Sequence, residues 1–285
     1  VATLRDIKTR IRSVRQIQKI TAAMKLVSVA KLRKHQTAQR RFEDFRGRIG
    51  SLFDRFSSAA DIREFPLMAA RSGAAGTLLI AVTAERGLCG SYNHGVRRAA
   101  EAYLEREPGP SKLLALGSSN RKYFRNQGAD LVEAALPESV AERARVIGDL
   151  ARGKFLDGSV DRVVAVSDRF ALDRSRGIRL RQLLPLAAPA DPDPAVRRRV
   201  EAYLLEPGFG SIYEWICEYY LYTELYGLLL DAAAAEEFAR MKAMELATSN
   251  ADELIFELTL SYNKARQEAI TLELLDIVGG TATGT

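Results

Sequence analysis

The residue types that could do chemistry gather in one short stretch, ERGLCGSYN, running from Glu85 to Asn93. It follows the β-prone run GTLLIAVTAE (76–85) and precedes the helical pattern SYNHGVRRAAEAYLERE, which is where a phosphate-binding turn sits in an α/β fold. Arg86, Gly87, Leu88, Cys89, Gly90 and Asn93 are therefore its candidate residues. Glycine occurs only at 87 and 90, so GxGxxG fails, and GxxxxGK[ST] occurs nowhere. The stretch reads first as a tight strand-to-helix turn. Cys89 has only His94 nearby as a base and fits a packed small residue better than a nucleophile.

Other catalytic patterns are missing too. His35 and His94 lie outside any HExxH or Cys/His spacing, Cys89 and Cys217 form no CxxC, and GxSxG is not found. Paired carboxylates fall on helical faces, where water is their ordinary environment. No active site assembles from these residues. Neither a catalytic residue nor a cofactor or metal site is expected.

The elements around the turn explain more of the chain. Its 285 residues are 47% apolar, enough for a sizeable core, and the net charge of +6 favours an acidic partner: nucleic acid, anionic membrane or acidic protein surface. Two distant cysteines suit a reducing compartment. From Leu4, apolar residues recur at Ile7, Ile11, Val14, Ile17, Ile20, Met24 and Val27, one stripe on a long helix, and the pattern continues loosely to Phe56. Nothing after Pro207 breaks a second such pattern, through Met241, Met244, Ala251, Leu254, Leu258, Tyr262, Ala265, Ala269 and Leu272. Gly279 and Gly280 are expected to stop it. At ~1.5 Å per residue these helices would reach roughly 80 and 105 Å.

Charge relates the two. Residues 1–60 hold 15 Lys/Arg against 4 Asp/Glu, whereas residues 208–285 hold 4 against 13. Opposite charge and matching stripes predict a long coiled coil of the N- and C-terminal helices, antiparallel because a compact middle region brings their inner ends together, with ion pairs choosing the partner and the apolar seam supplying stability. Between them, KLLALGSS (112–119) and DRVVAVSDRF (161–170) add strands to the first, with helices at 91–107 and 138–158. This alternation predicts a Rossmann-like α/β domain with a mainly parallel sheet. LRQLLPLAAP (180–189) is a further candidate strand, and APADPDPAV an exposed loop. The expected divisions are 1–60, 61–207 and 208–285.

IKTRIRSVRQIQKITAAMKLVSVAKLRK, ERGLCGSYN, EEFARMKAMELATSNA and LSYNKARQEAITLELLDIVGG, in this order and spacing, resemble the signature blocks of the gamma subunit of the F-type ATP synthase. The resemblance covers nearly the whole chain. It implies a non-catalytic central-stalk rotor, one copy per complex, which couples proton flow to ATP synthesis and regulates ATPase activity. The implied partners are the alpha and beta subunits of the catalytic ring, the epsilon subunit and the membrane c-subunit ring, with no nucleic acid. Residue by residue it implies that Met24 and Lys25 lie against an acidic beta-subunit segment. Arg240, Gln267, Thr271 and Glu273 match coupling positions, and Arg266 with Gln267 matches a pair that hydrogen-bonds a beta-subunit loop.

Two departures concern the turn and the acidic block. Ala84-Glu85-Arg86 replaces the family's Ser/Thr-Asp-Arg, and the usual serine before Glu236 is missing. No cysteine-bearing chloroplast insertion interrupts the region after 165, so thiol regulation is not expected. The basic, acid-poor start also fits a transit peptide, but its pattern runs unbroken to Lys34. A bacterial protein, peripheral at the cytoplasmic face of the inner membrane, is the expectation. Two other readings stand beside it: a nucleic-acid or membrane adaptor using residues 1–60 as a basic arm, and an α/β enzyme with a degenerate nucleotide turn.

Overall fold

The structure is a computed structural model describing residues 3–61, 64–70, 75–107, 109–170, 176–189 and 194–282. Along the chain run α1 (Leu4–Ser57), β1 (Thr77–Val82), α2 (Tyr92–Leu104), β2 (Ser111–Ala115), α3 (Ser118–Asn126) and β3 (Asp130–Leu131). They are followed by α4 (Val140–Leu156), β4 (Arg162–Phe170), β5 (Arg176–Leu184), α5 (Pro194–Glu201) and α6 (Phe209–Ala282). Contacts divide the chain into two compact units, Val1–Val29 with Arg240–Thr285, and Ala30–Ala239.

In the first unit, α1 and α6 run antiparallel. Gln18 Nε2 donates to Asp252 Oδ1, Thr21 and Thr248 hydroxyls meet at 2.8 Å, and Lys25 Nζ lies 3.1 Å from Glu245. Numbers rise on one helix as they fall on the other. Val14, Thr21 and Ser28 are buried at intervals of seven, the repeat of a two-helix seam.

This corrects the expected stripe. Ile17, Ile20 and Val27 are 54%, 58% and 55% exposed, while Gln18 and Lys25 take seam positions. At 100° per residue a step of three falls 60° short of a turn. Two such steps in succession, Val14 to Ile17 to Ile20, carry the stripe out of the seam. On α6, Met244 and Ala251 are buried and Leu254, Leu258, Tyr262, Ala265 and Ala269 half-buried as expected, but Leu272 is exposed. The helix also continues through Gly279 and Gly280 to Ala282. Glycine lowers helix propensity by about 1 kcal/mol without forbidding the conformation.

In the second unit the five strands lie in the order β3-β2-β1-β4-β5, parallel except for β5, which pairs antiparallel with β4. Alternate residues of the strands serve two cores. Leu78, Ile80, Val163 and Ala165 pack with Phe53, Tyr213, Leu221 and Leu225 of α1 and α6, and with Ile147 and Phe155 of α4. Leu79, Ala81, Val164 and Val166 face the other way, onto Val96, Ala100 and Phe124 of α2 and α3. Phe53 stacks on Tyr220 at 4.1 Å with rings 5° from parallel, and Phe65 meets Tyr213 edge-on at 4.5 Å.

Ion pairs continue across the same two helices here. Lys31 approaches Glu237 at 3.8 Å, and Arg46 grips Glu224 with two hydrogen bonds, 3.1 and 2.9 Å. Three elements fall outside the expected set, the two-residue strand β3 among them. α3 is short and mostly polar, and α5 begins at Pro194, inside the expected loop, where proline's fixed φ suits a first helical turn. The preceding loop residues 190–193 lie outside those described.

Candidate functional site

The turn after β1 is pinned from within. Asn93 Oδ1 accepts from the Ala84 amide at 2.9 Å, and Thr83 Oγ1 donates to the Leu116 carbonyl, tying β1 to the end of β2. Leu88 and Gly90 adopt positive φ, 62° and 58°, which reverses the chain toward α2. Arg86, Gly87, Leu88 and Gly90 are exposed, whereas Cys89 is buried with its Sγ 3.8 Å from the Arg86 carbonyl and 3.7 Å from Asn93 Nδ2.

The crevice beyond the strand ends, where this class of sheet would hold a nucleotide, is taken by protein. Tyr92, fully enclosed, has its hydroxyl 3.3 Å from both the Val82 carbonyl of β1 and the Ala232 carbonyl of α6. Gln39 of α1 donates to the Phe170 carbonyl at the end of β4 (3.0 Å) and to Asp231 (2.8 Å). Tyr92 of the turn thus ties the sheet to α6, and Gln39 ties it to α1. Burial pushes the other thiol, Cys217, up to about 12, so it stays protonated and unreactive at neutral pH.

The helix candidates fall into separate patches of the first unit. Met24 and Lys25 are half-buried on α1, with Lys25 held by Glu245, itself held by Lys242 at 2.9 Å; these lysines keep the Glu245 carboxyl below its ordinary range. Arg240 of α6 is buried, at 7% exposure. Arg266, Gln267 and Thr271 are exposed a few turns from the end of α6, the Thr271 hydroxyl donating to the Gln267 carbonyl at 2.9 Å. Twenty-six residues of helix, about 39 Å, separate Arg240 from Arg266. The Glu273 side chain lies outside those described.

A further set emerges only from the packing. Ile17, Ile20, Leu26 and Val27 on α1, with Leu246, Phe256, Leu260, Ile270, Leu272, Leu274 and Leu275 on α6, stand 47–69% exposed. The outer surface of the helix pair thus carries apolar side chains among its charges, while the seam mixes Val14, Met244 and Ala251 with the hydroxyls of Thr21 and Ser28. Scattered apolar residues on a surface need no explanation, but this many along two paired helices mark a contact surface. The seven-residue phase of Val14, Thr21 and Ser28 is the sequence signal that distinguishes them.

No candidate group forms a catalytic constellation, and among the described residues no helix is long and apolar enough to cross a membrane. Two long antiparallel terminal helices with a mainly parallel α/β sheet between them in the chain define the class of fold. The chain matches the ATP synthase family over residues 3–283. It is 36% identical to the ATP synthase gamma chain of Chlorobaculum tepidum, covering 98% of this chain and 97% of that one, and 36% identical to the gamma chain of Moorella thermoacetica, covering 98% of each. It shares its fold with a chain of the Euglena gracilis mitochondrial ATP synthase, OSCP/F1/c-ring assembly, at a TM-score of 0.67 and 16% identity over 98% of this chain and 93% of that one. The chain belongs to the family of ATP synthase gamma chains. Membership makes it a non-catalytic, peripheral subunit of the ATP synthase complex, its central-stalk rotor.

Proposed function

We propose that this chain turns within a bacterial enzyme at the cytoplasmic face of the inner membrane. In this reading residues 1–60 and 208–285 supply the stalk helices and 61–207 the α/β domain. The catalytic ring of alpha and beta subunits surrounds the apolar outer surface of the helix pair, and the epsilon subunit and c-subunit ring dock outside it. The observation that carries the proposal is the set of exposed apolar side chains on the helix pair of the first unit, Ile17, Ile20, Leu246 and Phe256 among them, beside a seam that mixes Val14, Met244 and Ala251 with the hydroxyls of Thr21 and Ser28. Apolar side chains offer a turning partner surface no fixed hydrogen bond to break. Rotation couples to chemistry because a shaft without rotational symmetry meets each catalytic subunit differently and biases its conformational populations.

Met24 and Lys25 form one proposed beta-subunit contact, and Arg266, Gln267, Thr271 and Glu273 a second. Lys25 has a competing role, since it already pairs with Glu245. Engagement of Lys25, Lys31 and Arg46 by α6 carboxylates also leaves less free charge for the basic-arm alternative.

Reconstitution with cognate alpha and beta subunits tests the proposal. Its support is a complex with one copy of this chain whose ATP turnover depends on it. A chain that binds DNA but not the ring overturns it. Within the complex, Lys25→Glu should reduce ATP-driven proton pumping relative to hydrolysis, and adding Glu245→Lys should fail to restore it. Full restoration would assign Lys25 to the seam alone.

A further inference from the structure

At the β5 edge of the sheet, four arginines converge on a pocket of about 390 Å³. Ser167 pairs with Arg179 and Ala165 with Arg181, so these arginines share the sheet face that packs on α1 and α6. Arg169, two residues beyond Ser167, stands on the same face, and Arg46 enters from α1. Two carboxylates pair with them, and a third, Glu43, acts on Arg46 and Asp231 only through its charge. Glu224, 9% exposed at its side chain, is already shared between Arg46 and Arg181. Asp231 accepts from Gln39 at 2.8 Å and pairs with Arg169 at 3.4 Å. Arg179 has no acidic partner among the described residues.

Positive charge is thus in excess by one, with Glu43 counted, in a partly enclosed space. The Arg46 and Arg169 side chains are 22% and 33% exposed, where repulsion is screened less than in open water. A bound oxyanion would offset that repulsion. Guanidinium forks fit tetrahedral oxyanions in pairs, and the Ser167 hydroxyl lies in the same lining. No aromatic side chain lines the pocket, so it offers a nucleobase nothing to stack on. We propose that this pocket binds phosphate-class oxyanions, recognising the phosphate group and not a base. The ligand is held without covalent chemistry, and its source is a free phosphate or pyrophosphate or the headgroup of an anionic phospholipid.

Titration calorimetry of the full chain with pyrophosphate, at ionic strength held constant with chloride, reads the site directly. Arg179→Gln, which removes the arginine without an internal partner, should weaken binding at least tenfold while leaving the melting temperature in the absence of anion unchanged. Arg98→Gln, an exposed arginine of α2, should leave it intact. Flotation with phosphatidylglycerol vesicles, against phosphatidylcholine, separates the sources: Arg179-dependent binding there assigns a lipid headgroup, and pyrophosphate heat alone assigns a free anion. Equal binding by Arg179→Gln and the parent chain, or no binding of either phosphate source beyond the chloride control, overturns the proposal.

Discussion

Replacing Phe53 by alanine tests whether the C-terminal half of α1 is built into the α/β core, as torque transfer through this helix requires. Phe53 is fully buried, stacked on Tyr220 at 4.1 Å and near Tyr213 at 6.4 Å. Truncating such a ring costs about 3–5 kcal/mol from lost transfer energy and the cavity left behind. The second unit spans Ala30 to Ala239. For a body of that size each kcal/mol moves the midpoint by about 2–4 °C, so the expected fall is roughly 6–20 °C. Phe45→Ala on the same helix is the control. That ring is 40% exposed and only 5.8 Å from Phe42, so its loss should cost about 1 kcal/mol or less. Thermal melting followed by circular dichroism at 222 nm reads both. A fall of less than about 3 °C for Phe53→Ala, or one equal to that of Phe45→Ala, would show that α1 is not anchored this way.

Burial lowers the His35 imidazole below its ordinary 6.5, with Lys34 and Lys31 assisting and Glu237 opposing. The unfolded chain therefore takes up this proton first, so stability should decline as pH falls below about 6.5, and His35→Gln should flatten that slope in urea melts taken between pH 7.5 and 5. Gly117, at φ 82°, has room for no Cβ, which would lie 2.3 Å from the Ala84 carbonyl oxygen. Gly117→Ala should destabilise the chain by at least about 1 kcal/mol in denaturant titrations. In the first unit, Leu258→Asp puts a carboxylate at a half-buried seam position and should lower the melting temperature, an effect absent from Leu260→Asp at an exposed one. Thr21→Val with Thr248→Val replaces both hydroxyls of one contact and should be neutral or stabilising in the same melt.

The helix lengths were legible because apolar recurrence over 54 and 74 residues has no competing interpretation. Pairing was legible from charge and its antiparallel sense from a compact region between the helices, and both appear in Lys25–Glu245, Lys31–Glu237 and Arg46–Glu224. Helix rotation was not. Choosing the apolar residue at every step assumed that the seam must be apolar throughout, whereas Gln18, Thr21 and Lys25 pair across it with Asp252, Thr248 and Glu245 of α6. The turn from Glu85 to Asn93 was recognisable as a structural reversal from its missing glycines. Its link to α6 through Tyr92 was not, since a contact spanning 140 residues leaves no local pattern. The β5 arginines likewise carry no local sign of a shared site; it takes the strand register beside Ser167 and Ala165 and the approach of Arg46 from α1 to bring them together.

The polar seam has a consequence for transmission. An all-apolar stripe pairs almost equally well after slipping by one step, because one aliphatic contact resembles the next. Here a slip of four residues would set Thr21 against Asp252 and leave Lys25 facing Thr248, which breaks both the hydroxyl pair and the ion pair. Each loss removes a matched contact, worth about 0.5–1.5 kcal/mol for the hydroxyl pair and about 0–1 kcal/mol for the exposed ion pair. Register is therefore specified at some expense in stability. For two helices that turn together under load, resistance to sliding matters more than depth of packing, and the second unit supplies the depth through Phe53, Phe56 and Tyr213. Polar matching in one unit and aromatic packing in the other answer the two mechanical demands on the same pair of helices.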